Sequence, residues 1–300
     1  MDVVRPTISV IDDKPWFFIR YWQAGPHLRV RVADLDPAQL ASVERAMRER
    51  LDVVGTLAAD EQPLDGDAYA RSAGRLAAAG EGGQQLNVED VLPPGVYRRA
   101  YLPEIDRYGG EAVMPATERL FQLSSELVVT FLPHMPTTRV RSIMTMRATV
   151  AAASALTDGA DRGNHERAAF YAHGIEFWRS SLAGLGYSPA QLDHICRVPG
   201  TTTGGVPAEP EPTEPKPAVP PPGPLDPWSA AMTDLVERIR YESASTPGQI
   251  VFSHVHMLHN RLGLSLSEEL QTYVRAAHLQ AGRLDGIAEK RAGDTSPTSG

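Results

Sequence analysis

The stretch "WFFIRYWQAGPHLRVRV", residues 16–32, constrains this chain more than any other part of it. On both sides of Ala24-Gly25-Pro26 the side chains alternate with the period of two that belongs to a strand. Trp16, Phe18 and Arg20 point one way, and Phe17, Ile19 and Tyr21 the other. A connection this short favours an antiparallel hairpin, because a parallel return needs a long crossover. A helix starts directly afterwards. Asp36 can cap it, Pro37 takes its first position, Gln39 completes a capping box, and Leu40, Val43, Met47 and Leu51 make its buried stripe. Strand, strand and capped helix together predict an α+β fold: an antiparallel β-sheet with helices packed on it, not a doubly wound sheet.

Further along, Val96–Tyr101 reads as another strand that runs into a polar turn at Gly109-Gly110. Helical patterns cover residues 111–130, "TRVRSIMTMRATVAAASAL", "GNHERAAFYAHGIEFWRSSLAGLGY", the segment from Leu225 to Arg240, and "QIVFSHVHMLHNRLGL". A last helix opens at Ser265 or Ser267 and runs to about Leu279. From Gly55 to Gly95 the signals reduce to short helical pieces and glycine-rich turns. Residues 199–227, "PGTTTGGVPAEPEPTEPKPAVPPPGPLDP", carry too much proline for strand or helix and read as an extended surface loop. The expectation is one domain over residues 1–285, interrupted by that loop, and a flexible tail over 286–300.

Composition narrows the function classes. The chain has 300 residues, 42% of them hydrophobic, enough for a substantial core. Its net charge of -8 gives nucleic acid no global attraction, so any anion site must be a local arginine cluster. Cys196 is the only cysteine, which excludes an intrachain disulfide and a thiolate metal cluster and points to a reducing cytoplasm. No apolar run approaches the roughly 18 residues of a membrane span, and the start has no signal-peptide pattern.

Three places carry chemistry. Arg29 and Arg31 share one face of a strand with no acid between them, and two guanidiniums so placed repel until an anion arrives. Their fixed forks suit a carboxylate or phosphate, although charge on an exposed strand for solubility is the plainer explanation of either alone. In "YLPEIDRYGG", Arg107 has Glu104 and Asp106 beside it, so a local salt bridge accounts for it. "SHVHMLHNRLG" holds His254, His256 and His259, but on a helix these do not make a metal-ligand set, and the glutamate of His-Glu-x-x-His is absent. Asn260 lies one turn from His256 and can orient its imidazole. No nucleophile elbow is present.

Taken in order, "WFFIRYWQAGPHLRVRV", "YLPEIDRYGG" with "ERLFQLSSELV", and "HVHMLHNRLGLSLSEE" resemble the C-terminal elimination domain of lantibiotic dehydratases, also found as a standalone protein in thiopeptide biosynthesis. The resemblance implies that a separate glutamylation subunit esterifies Ser or Thr of a precursor peptide using glutamyl-tRNA. This chain would then expel glutamate, leaving dehydroalanine or dehydrobutyrine. It places the family's functional residues on Arg29, Arg31, Arg107 and His256. His254 and His259 are alternative carriers of the histidine's role, and Arg98 or Arg99 alternatives to Arg107. Tyr108, Tyr21, Asn260 and His27 are the residues expected to orient substrate.

That chemistry suits these side chains: arginines hold carboxylates and stabilise enolate-like charge, and histidine transfers a proton as base or acid. No metal, organic cofactor, direct tRNA contact or membrane is implied, and a homodimer is left open. A sister branch sharing the fold joins two dehydroalanines by a formal aza-[4+2] cycloaddition, and retention of the four residues favours elimination over it. A non-catalytic leader-peptide-binding subunit is the third reading, to be expected if the arginines faced solvent away from the histidine.

Overall fold

The hairpin forms where the alternation places it. In the computed structural model, which describes residues 2–11, 13–54, 65–79, 89–134, 137–157, 160–198 and 223–294, β1 (Trp16–Tyr21) pairs antiparallel with β2 (His27–Val32). Phe17 faces Arg31, Ile19 faces Arg29 and Tyr21 faces His27, so the basic side chains of β2 share a face with the apolar and aromatic ones of β1. Trp16 and Phe18, from the other face, are buried in the core.

A two-stranded sheet has open edges whose unpaired backbone groups need partners. Side chains, not a third strand, complete the edge of β1. The Phe18 N–H donates to Ser125 Oγ (3.2 Å), and the Phe18 carbonyl accepts from Arg261 Nε (2.6 Å). Asn260 then acts like a piece of strand: its Oδ1 accepts from the Arg20 N–H (2.8 Å) and its Nδ2 donates to the Arg20 carbonyl (2.9 Å).

The remaining elements are helical. Before the hairpin lies a short α1 (Val4–Ile8); after it come α2 (Pro37–Val54), α3 (Gly66–Ala79), α4 (Met114–Phe131) and α5 (Thr138–Ala155). They are followed by α6 (Ala160–Gly184), α7 (Pro189–Ile195), α8 (Asp226–Glu242), α9 (Pro247–Leu262) and α10 (Leu266–Asp294). The expected start of α2 is present in full: Asp36 Oδ1 accepts from the N–H groups of Ala38 and Gln39, both at 2.8 Å, while Gln39 returns a bond to the Asp36 N–H.

Helix α9 is the centre of the fold. It packs against α4, α5, α6, α8 and β1, and its buried residues (Ile250, Val251, His254, Val255, Leu258, His259, Arg261 and Leu262 among them) leave no polar stripe. A helix covered on nearly all sides must bury whatever it carries, including two histidines and an arginine. Elsewhere small residues let helices close up. A Cβ on Gly174 of α6 would stand 2.3 Å from Cδ1 of Tyr273 on α10, so only glycine allows that ring its place.

Two expectations are corrected. Residues 96–101 do not form a strand: the segment from residue 89 to 104 is irregular, and Arg98 reaches to Glu44 on α2. A third strand had no room on β1, whose edge Ser125, Asn260 and Arg261 already occupy, and Pro93, Pro94 and Pro103 bracket the segment. The last helix continues past Leu279 to Asp294 and so overlaps the expected tail from residue 286; Ala, Leu, Arg, Glu and Lys in that stretch are good helix formers. Residues 199–222 of the proline-rich stretch lie outside the described residues, and α8 begins just after it, at Asp226.

Candidate functional site

The basic face of the hairpin is held, not loose. The Arg29 guanidinium lies 3.5 Å from the centroid of the Tyr21 ring, a cation–π contact. His27 Nδ1 donates to the Gly25 carbonyl (2.7 Å), which leaves Nε2 to accept from Arg29 Nε (3.1 Å). His27 and Tyr21 thus position Arg29. Burial and the positive charge of Arg29 both push the Arg31 guanidinium below its ordinary pKa, the repulsion expected of two same-face arginines.

From Arg31 a continuous row of rings leads inward. Its guanidinium carbon is 5.9 Å from the Tyr101 ring centroid. Phe17 meets Tyr101 edge-on at 5.6 Å and Phe121 at 5.2 Å; Phe121 meets Tyr108 at 5.1 Å; and both Phe121 and Tyr108 lie 5.2 Å from the imidazole of His254. Two more guanidiniums sit on this row, Arg107 at 5.6 Å from the Tyr108 ring and Arg261 at 5.3 Å from the Phe121 ring. Arg107 also bonds Glu104 at 3.0 Å. Tyr101 hydrogen-bonds Glu118 of α4, and burial followed by that carboxylate raises its phenol pKa.

His254, on the buried end of this row, is 2% exposed and its Nε2 lies 3.4 Å from Thr117 Oγ1. Burial, then the positive charges of Arg261 and Arg107, push its pKa down to about 3, so the imidazole is neutral at physiological pH. Burial likewise brings the Arg261 guanidinium down to about 9.

Among the expected site residues, the structure brings Arg107 and Tyr108 to His254, and Arg31 to the outer end of the same row. His256 goes elsewhere. Two residues along a helix turn a side chain by about 200°, so His254 and His256 leave α9 on opposite sides. His256 Nδ1 lies 3.0 and 3.1 Å from the two oxygens of Glu269 on α10, and its ring stacks obliquely on Trp178 of α6 at 5.0 Å. His259 adds a second bond to Glu269 at 3.2 Å and one to Thr149 at 3.1 Å. Burial raises the Glu269 carboxyl, but the two histidines outweigh it and hold the group below the usual carboxylate range. Asn260, expected to bind substrate, is spent on the edge of β1, and Arg98 on Glu44. Arg99 is exposed.

Sequence reasoning passed over Tyr101, Glu118, Phe121 and Arg261. Only Arg261 left a readable signal: it stands seven residues after His254, two turns on, and so shares its helix face. Among the described residues no group of histidine, cysteine and carboxylates has the arrangement of a metal site, and no helix is long and apolar enough to cross a membrane.

Comparisons with known proteins give a fold neighbour and a family. A solved structure described as "Pyridine synthase, TbtD, from thiomuracin biosynthesis" superposes with a TM-score of 0.59 at 18% identity, covering 95% of this chain and 93% of that one. The tRNA-dependent lantibiotic dehydratase MibB from Microbispora sp. 107891 matches 92% of this chain but 25% of its own, at 19% identity and a TM-score of 0.43. A search of curated proteins gave no match. The family described as "Lantibiotic biosynthesis dehydratase C-term" matches residues 1–280, nearly the whole chain. The chain therefore belongs to the lantibiotic dehydratase C-terminal family.

Proposed function

We propose that this chain removes glutamate from glutamylated serine or threonine side chains of a ribosomally made peptide by β-elimination. The observation that carries this reading is the row of rings bearing Arg31, Arg107 and Arg261 and ending on the neutral imidazole of His254. Elimination needs these parts. A base takes the α-proton of the esterified residue, the electron pair forms the Cα=Cβ bond, the Cβ–O bond breaks, and glutamate departs as its carboxylate. The guanidiniums of the row hold the anionic glutamyl group, and Arg31 and Arg107 stabilise the charge that develops on oxygen.

His254 is the histidine on the arginine side, and it takes the role that the resemblance placed on His256. An imidazole whose conjugate acid is so acidic is a weak base in this surrounding alone. A bound carboxylate beside Arg261 and Arg107 offsets part of the positive field and restores basicity where the reacting proton lies. The glutamyl ester is supplied by a separate subunit acting on the same precursor peptide.

One observation favours a second reading. The chain superposes on a pyridine synthase with a TM-score of 0.59, so its fold suits an enzyme of that kind as well as an elimination domain. An aromatic floor also suits planar dehydroamino acids. One experiment separates the two: purified protein receives glutamylated precursor peptide without tRNA or ATP, and separately a peptide already carrying dehydroalanines. Loss of the glutamyl group with its ester oxygen is the expected result. Conversion of only the second peptide, to a macrocycle, would replace the elimination reading with cycloaddition.

A further inference from the structure

Among the described residues, Arg261 is a charged group buried with most of its donors unused. Its side chain is 0% exposed, and among the described residues its one side-chain hydrogen bond, from Nε, goes to the Phe18 carbonyl. Nη1 and Nη2 are buried with no hydrogen-bond partner among the described residues. Its surroundings are the Phe121 ring on one side, with Tyr108 and His254 near enough to interact with it electrostatically. Clamping α9 to β1 needs one donor, which a neutral side chain could supply. A guanidinium adds a full positive charge, met here by aromatic rings and no carboxylate among the described contacts, and a two-pronged fork left without hydrogen-bond partners among the described residues, in an apolar place where both are costly. A buried orphan of this kind calls for an explanation beyond packing.

Resting on the elimination reading, we propose that Arg261 is the binding residue for the side-chain carboxylate of the glutamyl group, its free Nη pair receiving the two carboxylate oxygens at the inner end of the site. The fit is one of chemistry and shape. A planar fork matches a carboxylate bidentately, and the ring walls of Phe121 and Tyr108 suit the two methylenes that precede it. Arg107 and Arg31, both less buried than Arg261, remain for the ester and the departing α-carboxylate. This division gives each of the three guanidiniums, which lie against three different rings, its own part of the substrate. It also makes the site selective for a slender acidic arm: glutamine of equal length would leave the charge unanswered.

Glutarate, which carries the arm without the ester, serves as the probe, and its monoamide glutaramate as the neutral-ended control. Thermal unfolding of the wild-type protein is expected to rise with glutarate and to respond roughly tenfold to a hundredfold more weakly to glutaramate. Arg261→Met should lose the glutarate response while unfolding, without ligand, at the wild-type temperature or above it, since an unpaired buried charge has gone. If Arg261→Met does not fold, Arg261→Gln, which keeps a donor for the Phe18 carbonyl, carries the same expectation for the ligand response. A glutarate response preserved in either variant overturns the proposal, as does its absence in wild type. The reaction is judged separately. An Arg261-dependent glutarate response in a protein that eliminates nothing keeps this pocket and removes the reaction. Undiminished elimination by Arg261→Gln removes the pocket and keeps the reaction.

Discussion

Two histidines two residues apart on α9 have opposite environments, and substitution distinguishes them. Replacing His254 by Asn keeps a polar group near Thr117 but removes the imidazole beside Arg107. Elimination should fall on the order of a hundredfold or more with folding intact. His256→Asn takes one imidazole from the buried Glu269, so its main effect should be on stability, a loss of about 1–3 kcal/mol read from urea unfolding. Turnover lost in His256→Asn at unchanged stability would return the catalytic assignment to His256. At this scale the sequence showed the arginines of β2 well, because strand alternation fixes a shared face. It showed the histidines poorly: helical spacing says that His254 and His256 diverge, not which of them meets arginine.

At the scale of elements, the hairpin and the start of α2 were legible because their signals are local: alternation, a short turn, and a capping box. The absent third strand was not. Val96–Tyr101 has strand-like residues, but the β1 edge it would need is taken by side chains from α4 and α9, which are about a hundred and more than two hundred residues away. Asn260→Ala opens that edge, and the Arg20 amide should lose its hydrogen-exchange protection while amides in the middle of α9 keep theirs. Gly109 tests the loop that carries Arg107 and Tyr108. It has a φ of 92°, and a Cβ there would lie 2.7 Å from Ile250 Cδ1. Gly109→Ala should cost about 1–3 kcal/mol in chemical denaturation and depress elimination by moving Tyr108 away from His254.

The whole molecule inherits a pH dependence from its core. Unfolded, the His254 imidazole binds a proton below about 6.5; folded, it does not until about 3. Between those values the unfolded chain holds the extra proton, so this contribution to stability is complete above 6.5 and is lost as the pH falls. Glu269, held low by its two histidines, works in the same direction. Denaturant unfolding at about pH 7 and pH 5 should therefore show wild type losing more stability than His254→Asn, and equal losses would show that His254 is not buried neutral. By itself the sequence determined the hairpin and the faces of its strands, the capped helix, the helical remainder and the family, all of which rest on neighbours in the chain or on motif order. Only the tertiary structure decided that the sheet stops at two strands, that His254 faces the arginines, and that Arg261 is enclosed with its fork unpaired. These depend on what surrounds α9, and a helix's own periodicity sets the angles between its faces without saying what each face will meet.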